Sequence, residues 1–296
     1  MVENRLLPLN HVGIFYYLFV SGIQIYQVAH FAMFDTEHSG CHNRWSTITR
    51  SGCEIYWRFV PLSKFKNTLL QHLDDGIIER LALKPVTFEV RHEIEYPGRP
   101  IEHLFFVEEG MASMTATFQD GSQVEVGMFG YASVIGVSAL IGTKLSLYRV
   151  YTQIEGSGYC CEIAAARAEF GRGDVFQALM LRYVQAQLDQ AAQSAACNAK
   201  HNMEQRLAKW LLLCSDRANT ETFKISQEFL ADMLGSTRPT VSIAAGTLKE
   251  EGLIEYSRGV LRILDPAGLE GRACECHRVV KSYLDNYADF DATFTS

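Results

Sequence analysis

The stretch ISQEFLADMLGSTRPTVSIAAGTLKEEGLIEY, residues 225–256, constrains this chain more than any other. Two short helical patterns flank a break at Leu234-Gly235-Ser236-Thr237, with Arg238 and Pro239 directly after it. Leu230 and Leu234 are apolar positions of the first helix, Val241 and Leu248 of the second. Helices that cross this closely need a small residue at the crossing, and Ala231 stands there, four residues before Gly235. A reversal within about three residues needs a left-handed φ, which glycine adopts freely. Val241 then fills the angle between the helices. Pro239 presets φ for a helix start, and Thr237 or Ser236 can cap it. A residue preceding proline avoids the helical region, so the frame is open by one position. The spacing is that of a helix-turn-helix.

The flanks extend the pattern. After the second helix, GLIEYSRGVLRILDP reads as two short strands about Ser257-Arg258-Gly259, a wing. Upstream, from near Asp174, Phe176, Leu179, Met180, Tyr183, Val184, Leu188, Ala191, Ala192 and Ala195 recur at three- and four-residue steps. They predict a long amphipathic helix of roughly 35 Å. Its late apolar sites are alanines, which permit close approach of a twin, so a homodimer is expected. MEQRLAKWLLLCSDRA follows as a second helix, with Leu207, Trp210, Leu211 and Cys214 on one face. Earlier, VTFEV, EHLFFVEEG, MASMTATF, SQVEVGMF, YRVYTQIEG and YCCEIAA are short β-rich runs separated by turn residues, which implies a β-sandwich or jelly roll. Before them, Leu62 to Leu83 predicts one or two short helices with Gly76 as the break.

A winged helix-turn-helix placed after a dimer helix points to major-groove binding of double-stranded DNA. The segment Glu204–Pro266, EQRLAKWLLLCSDRA…ISQEFLADMLGSTRPTVSIAAGTLKEEGLIEY…LRILDP, resembles the bacterial Crp/Fnr (cyclic-AMP receptor protein/fumarate-nitrate regulator) transcription regulators. The resemblance runs from about Leu62 to Tyr287, roughly three quarters of the 296 residues. It implies an α+β chain with a jelly-roll effector domain, a long dimerisation helix and a winged helix reading a palindromic operator, with RNA polymerase as a further partner. The expected division is an N-terminal extension over 1–60, the jelly-roll domain with leading helices over 61–173, the dimerisation helix over 174–198, the winged helix over 199–287 and a tail over 288–296.

The exposed N-terminal positions of the second helix would be Thr237, Arg238, Ser242, Ile243 and Gly246. Arg238 matches a position where the family carries a base-reading arginine, and a bidentate contact to guanine gives about 1–3 kcal/mol of discrimination. Ile243 could touch a thymine methyl, and Gly246 would permit close approach. Ser226, Thr240, Lys249 and Arg258 are candidates for phosphate contacts, which orient rather than specify. Pro239 and Ile243 depart from the polar residues of well-known members, so no operator is carried over. The whole chain has a formal charge of −7. Between Ser236 and Arg262, four cations (Arg238, Lys249, Arg258, Arg262) face three acids (Glu250, Glu251, Glu255), so affinity depends on where the acids point.

Cyclic-nucleotide binders of this fold hold the ribose with a Glu and the phosphate with an Arg. In the corresponding segment, GVSALIGTKLSLYRV, Val137 occupies the Glu position and the Arg position falls near Leu145 or Ser146. Lys144 and Arg149 are nearby cations outside the pattern. An unmatched phosphate charge is costly to bury, so cyclic nucleotide is not expected, and the effector is unidentified. The eight cysteines have spacings unsuited to a disulfide framework, which fits a reducing cytoplasm. Iron-sulfur members use an N-terminal cysteine cluster that Cys41 and Cys53 do not reproduce. Cys274, Cys276 and His277 form one candidate metal or thiol site and Cys160-Cys161 another. The expectation is that these are small buried hydrophobes, with no cofactor, and that a thiol- or metal-sensing regulator is the alternative. A metal-dependent cupin enzyme using His92 and His103 is a further alternative, but it needs an H-x-H pair that is absent. No nucleotide loop, nucleophile elbow or HExxH is present, so no catalysis is expected.

From Val12 to Phe34 there is no charged side chain, and VGIFYYLFVSGI is apolar enough to raise a membrane span. Gln24, Gln27 and His30 interrupt it, and only Arg5 precedes it as a positive flank. An extra helix or strand, or an upstream segment before a later start at Met33, is the favoured reading, and no membrane partner is expected. No cleavable signal peptide is visible. His38, Cys41, His42 and Cys53 fit no zinc-finger spacing.

Overall fold

The computed structural model describes residues 65–289, together with the backbone of four N-terminal strands. The chain divides into two compact units, Met1–Pro61 and Leu62–Ser296. In the first, β1 (Gly13–Ser21) pairs antiparallel with β2 (Gln24–Ala32) from Gly13↔Ala32 to Ser21↔Gln24, and β3 (Ile48–Arg50) pairs with β4 (Cys53–Ile55). Within the apolar run that raised a membrane span, Gly13–Ser21 and Gln24–Ala32 are strands. Among the described residues no helix is long and apolar enough to cross a membrane. His38, Cys41 and His42 lie outside the described residues, as does the side chain of Cys53.

The second unit opens with α1 (Thr68–Gln71), capped by Asn67, and α2 (Asp75–Leu81), capped by Asp74. Gly76 is not the break between them. The Asp74 carboxylate accepts from the Ile77 N–H at 2.8 Å, which starts α2 one residue earlier and leaves Gly76 in its first turn.

Two four-stranded sheets follow, as the jelly-roll reading requires. Their strands are β5 (Lys84–Phe88), β6 (Glu93–Glu95), β7 (His103–Val107), β8 (Met111–Thr117), β9 (Gln123–Phe129) and β10 (Val134–Ile135). Helix α3 (Ser138–Ile141) precedes β11 (Arg149–Ile154) and β12 (Gly156–Glu162). One sheet has the order β10-β7-β12-β5 and the other β6-β11-β8-β9. Alternation puts Leu104, Phe106 and Cys161 into one core and Val107, Ala112, Phe129 and Val150 into another. Where β12 begins, Gly156 lies against the Glu109 carbonyl so closely that any Cβ would collide with it.

Helix α4 (Ile163–Phe170) is clamped to α2 by Arg80, whose Nε and Nη2 each donate to the buried Glu169 carboxylate at 2.7 Å. Asp174 then caps α5 (Val175–Lys200), whose Phe176, Leu179, Met180, Tyr183 and Ala186 are buried within the chain. Two extended residues, His201 and Asn202, lead into α6 (Met203–Ala218), where Asn202 and Gln205 form a capping box. Leu207, Trp210, Leu211 and Cys214 of α6 are buried, as their spacing predicts, each large apolar side chain contributing about 1.5–3 kcal/mol. The remaining elements are β13 (Thr222–Lys224), α7 (Gln227–Met233), α8 (Arg238–Glu250), β14 (Ile254–Ser257), β15 (Val260–Ile263), α9 (Pro266–Arg272) and α10 (Cys276–Asn286). Helix α10 packs back on α5. The Tyr183 and Tyr287 rings meet edge to face at 5.2 Å, and Tyr287 Oη donates to the Ala132 carbonyl at 2.7 Å.

Candidate nucleic-acid interface

The α7–α8 pair has the geometry its spacing calls for. Gly235 sits at φ +56°, and the Ser236 N–H donates to the Ala231 carbonyl at 2.9 Å, closing the turn. Ala231 and Val241 are both buried at the crossing. Thr237, not Ser236, is the cap: its hydroxyl accepts from the Thr240 N–H at 3.4 Å and pairs with the Thr240 hydroxyl at 2.8 Å. Arg238 and Pro239 thus open α8, so the pre-proline residue enters the helix against its steric preference.

The wing is a three-stranded sheet, β13-β15-β14. Arg258 at φ +50° and Gly259 at φ +75° form its tip, the two-residue turn that matches strand twist. The Tyr256 hydroxyl donates to the Ile225 carbonyl at 2.8 Å, fixing the wing to the start of α7.

Thr237, Arg238, Thr240 and Ile243 are exposed on the first turns of α8, with Ile243 72% accessible, while Ser242 and Gly246 are half-buried. Arg238 forms no ion pair with any described residue. Ser242 is committed: its hydroxyl donates to Gln227 at 2.7 Å. Ser226 caps α7, accepting from the Phe229 N–H at 3.1 Å. Lys249 and Arg258 are exposed at the far end of α8 and at the wing tip.

Of the three acids, Glu250 and Glu255 are exposed and Glu251 is ion-paired within the chain. Glu251 pairs with Arg272 at 3.0 Å. Glu250 lies twelve residues beyond Arg238, roughly 18 Å along the axis, about two Debye lengths in physiological salt. Glu228 and Asp232 of α7 are exposed and offset part of the local positive charge. The excess of positive charge on this face is therefore small.

The winged helix leans on the β-domain. Gly235 faces Val124 of β9, where a Cβ would come within 3.2 Å of its methyl, and Gln153 Nε2 donates to Met233 Sδ at 3.3 Å. Trp210 Nε1 donates to Glu125 Oε1 at 2.9 Å. Glu125 is half-buried as a residue, but its carboxyl is enclosed by Ser113, Gln153 and Trp210. Burial pushes that carboxyl from 4.5 up to about 7, and the hydrogen bonds and the nearby Lys209 charge hold it from rising further. Sequence reasoning missed this residue.

The two effector-segment cations do not form a phosphate cradle. Arg149 is committed to Glu93 at 2.5 Å and lies over the Tyr151 ring, whereas Lys144 is exposed on the loop before β11. Ser146, near the expected Arg position, is buried and donates to Glu95. His92 lies in the exposed turn between β5 and β6. His103 lies beside the Phe105 ring with Glu162 at 3.4 Å, and among the described residues neither histidine belongs to a group of three or more metal-ligating side chains as a cupin metal needs.

The cysteine candidates separate. Cys160 and Cys161 are neighbours on β12 and point to opposite faces, so they make no joint site. Burial raises the Cys161 thiol to about 12. His277 does not join Cys274 and Cys276: its Nε2 faces Asp216 at 2.9 Å. The two cysteines meet Cys197 and His201 instead, and the four ligand atoms lie within 4.8 Å of one another.

Residues 205–272 match the Crp-like helix-turn-helix domain. The global nitrogen regulator of Nostoc sp. (strain PCC 7120) is 27% identical over 202 residues, spanning 64% of this chain and 89% of that protein. Its namesake in Synechococcus elongatus is 25% identical, spanning 68% and 94%. Among solved structures, a transcriptional regulator of the Crp/Fnr family from Eubacterium rectale superposes with a TM-score of 0.58 at 16% identity, covering 72% of this chain and 99% of that one. FixK2 from Bradyrhizobium japonicum gives 0.56 at 18% identity, covering 65% and 98%.

Proposed function

We propose that the chain is a transcription regulator of the Crp/Fnr family, acting as a homodimer that reads a two-fold operator through Arg238. The observation that carries this is the exposed Arg238 guanidinium, in no ion pair with a described residue, at the first position of a capped α8, in a chain whose α5 is apolar on two opposite faces. Leu181, Leu188, Ala191, Ala192 and Ala195 of α5 are exposed, and Leu188 is 62% accessible. At 100° per residue they line the side opposite the buried Phe176, Leu179, Tyr183 and Ala186. A second copy of α5 is the natural cover for this three- and four-residue seam. Such a dimer presents two α8 tips to half-sites about one helical turn, roughly 34 Å, apart.

In this reading Arg238 specifies, Ile243 meets a thymine methyl, and Thr240, Lys249 and Arg258 hold phosphates. The β-domain works without a cyclic nucleotide. Val137 in place of the ribose-binding Glu, and Arg149 held by Glu93, support that. RNA polymerase is the further partner the family suggests.

The test begins by mapping bound genomic fragments with purified full-length protein. Anisotropy titrations of Arg238→Ala against the best site and a scrambled one should then show specificity reduced about 5- to 150-fold, the equivalent of ~1–3 kcal/mol. Sedimentation should show the dimer unchanged, and affinity should fall steeply with salt. Undiminished operator discrimination by the variant refutes the assignment.

A further inference from the structure

We propose that Cys197, His201, Cys274 and Cys276 bind a single tetrahedral divalent metal ion of the zinc class. Cys197 and His201 stand one turn apart at the C-terminal end of α5, and Cys274 lies between α9 and α10 with Cys276 two residues on at the first position of α10. Two segments separated by 77 residues thus supply two ligands each. All three cysteines are buried, His201 is 12% exposed, and the thiols pack on one another as a group apart from the main apolar core. A cysteine that served only as a small hydrophobe would join that core, as Cys214 does.

The separations select the occupant. Zinc–sulfur bonds of ~2.3 Å and zinc–nitrogen bonds of ~2.0 Å give tetrahedral edges of about 3.5–3.8 Å. Cys197 Sγ lies 3.6 Å from Cys274 Sγ, and Cys276 Sγ lies 3.6 Å from His201 Nδ1. These donors are too close to enclose an iron-sulfur cluster, and three thiolates with one imidazole suit a mononuclear borderline-soft ion. The surroundings complete the site. With Nδ1 turned inward, His201 Nε2 faces the Glu275 carboxylate at 3.4 Å, the outer partner that fixes a ligand imidazole. Gln193 Nε2 donates to Cys276 Sγ at 3.1 Å. The family domain match ends at residue 272, so half of the ligand set lies beyond it and the other half before its start at residue 205.

An ion here ties the last turn of α5 to the C-terminal helices, bypassing the two-residue joint at His201–Asn202. Any effect on operator affinity rests on the DNA-binding reading above. Metal binding itself does not, so the decisive experiment uses no DNA. Full-length protein, stripped of metal and kept reduced, is titrated with cobalt(II) and then zinc(II). Binding should saturate at about one ion per chain with the intense visible bands of tetrahedral cobalt and a thiolate-to-cobalt charge-transfer band, and zinc should displace both. Cys274→Ser and Cys276→Ser should weaken cobalt binding by more than the ~10- to 100-fold typical of outer-shell changes, whereas Glu275→Gln should fall within that range. Cys160→Ser, a cysteine outside the site, should leave the spectrum unchanged. Folded, reduced wild-type protein that takes up no stoichiometric cobalt overturns the proposal. So does a Cys274→Ser protein with the wild-type spectrum, or a Cys197–Cys274 disulfide that persists in reductant.

Discussion

Replacing Glu125 with glutamine should change how the stability of this chain depends on pH. The carboxyl sits where β9 meets α6, and burial raises it from 4.5 to about 7. The folded chain therefore prefers the protonated acid. Its stabilising contribution is complete below 4.5, where the unfolded chain is protonated too, and is lost as pH rises through about 7. The interval from 4.5 to about 7, at ~1.4 kcal/mol per pH unit, sets an upper limit of about 3.5 kcal/mol. A cleft of about 40 Å³ lined by Glu125, Lys209 and Trp210 has room for water beside the carboxyl, so roughly 1–3 kcal/mol is the expected range. The glutamine side chain keeps an oxygen for the Trp210 N–H and cannot ionise, so it mimics the acid form at every pH. Urea unfolding of both proteins, followed by tryptophan fluorescence at pH 5, 6, 7 and 8, isolates the effect. The two should be similar in stability at pH 5, and the wild type should fall behind by roughly 1–3 kcal/mol at pH 8. A stability difference that is constant across this range refutes the enclosed-carboxyl account.

Leu188→Glu places a charge in the exposed seam of α5 without touching the chain's own core. If that seam pairs with its twin, two buried leucines are lost, about 3 kcal/mol or ~100-fold in dimer affinity, and sedimentation velocity should show monomer; an intact dimer rejects the seam. Gly235→Ala forces a side chain into the left-handed turn and against Val124, so the melting temperature should drop by an amount corresponding to about 1–2 kcal/mol, and an unchanged value contradicts the turn geometry. If metal loading alters operator affinity by some factor, operator must alter metal affinity by the same factor, so zinc-competition titrations with and without DNA should give one coupling constant.

What the sequence revealed follows the range of the interactions involved. The helix-turn-helix was legible because its constraints are local: Ala231, Gly235 and Val241 meet within about ten residues, and only a small residue, a positive φ and a wedge fit there. The jelly-roll runs were legible from their β-rich texture, but Glu93–Glu95 and Val134–Ile135 are too short to show a period. Gly76 looked like a break because glycine is the commoner signal, whereas the Asp74 side chain does the work by capping. Adjacency also misled. His277 follows Cys276 directly, yet the start of α10 turns its ring to Asp216, and the cysteines' imidazole neighbour comes from the end of α5. Glu125 in SQVEVGMF reads as a solvent-facing strand residue, since nothing local signals that Trp210 will cover it.

Helix α5 meets three requirements on one cylinder. Its inner face anchors the β-domain through Phe176 and Tyr183, its outer face carries the leucine and alanine seam, and its last turn holds Cys197 with His201 as C-cap. Beyond that turn only two extended residues, at most ~7 Å of chain, precede a fully capped α6. A joint that short leaves no slack, so the direction of α8 relative to α5 is set by a few side contacts. One is apolar and firm, α10 packed on α5 through Tyr287. Another is polar and ionisable, the Glu125–Trp210 bond between β9 and α6. Ionising Glu125 weakens the enclosure of its carboxyl and leaves the tyrosine packing untouched. A change that re-aims α8 should therefore open the Glu125 seam first and pivot about α10, with the winged helix moving as one body.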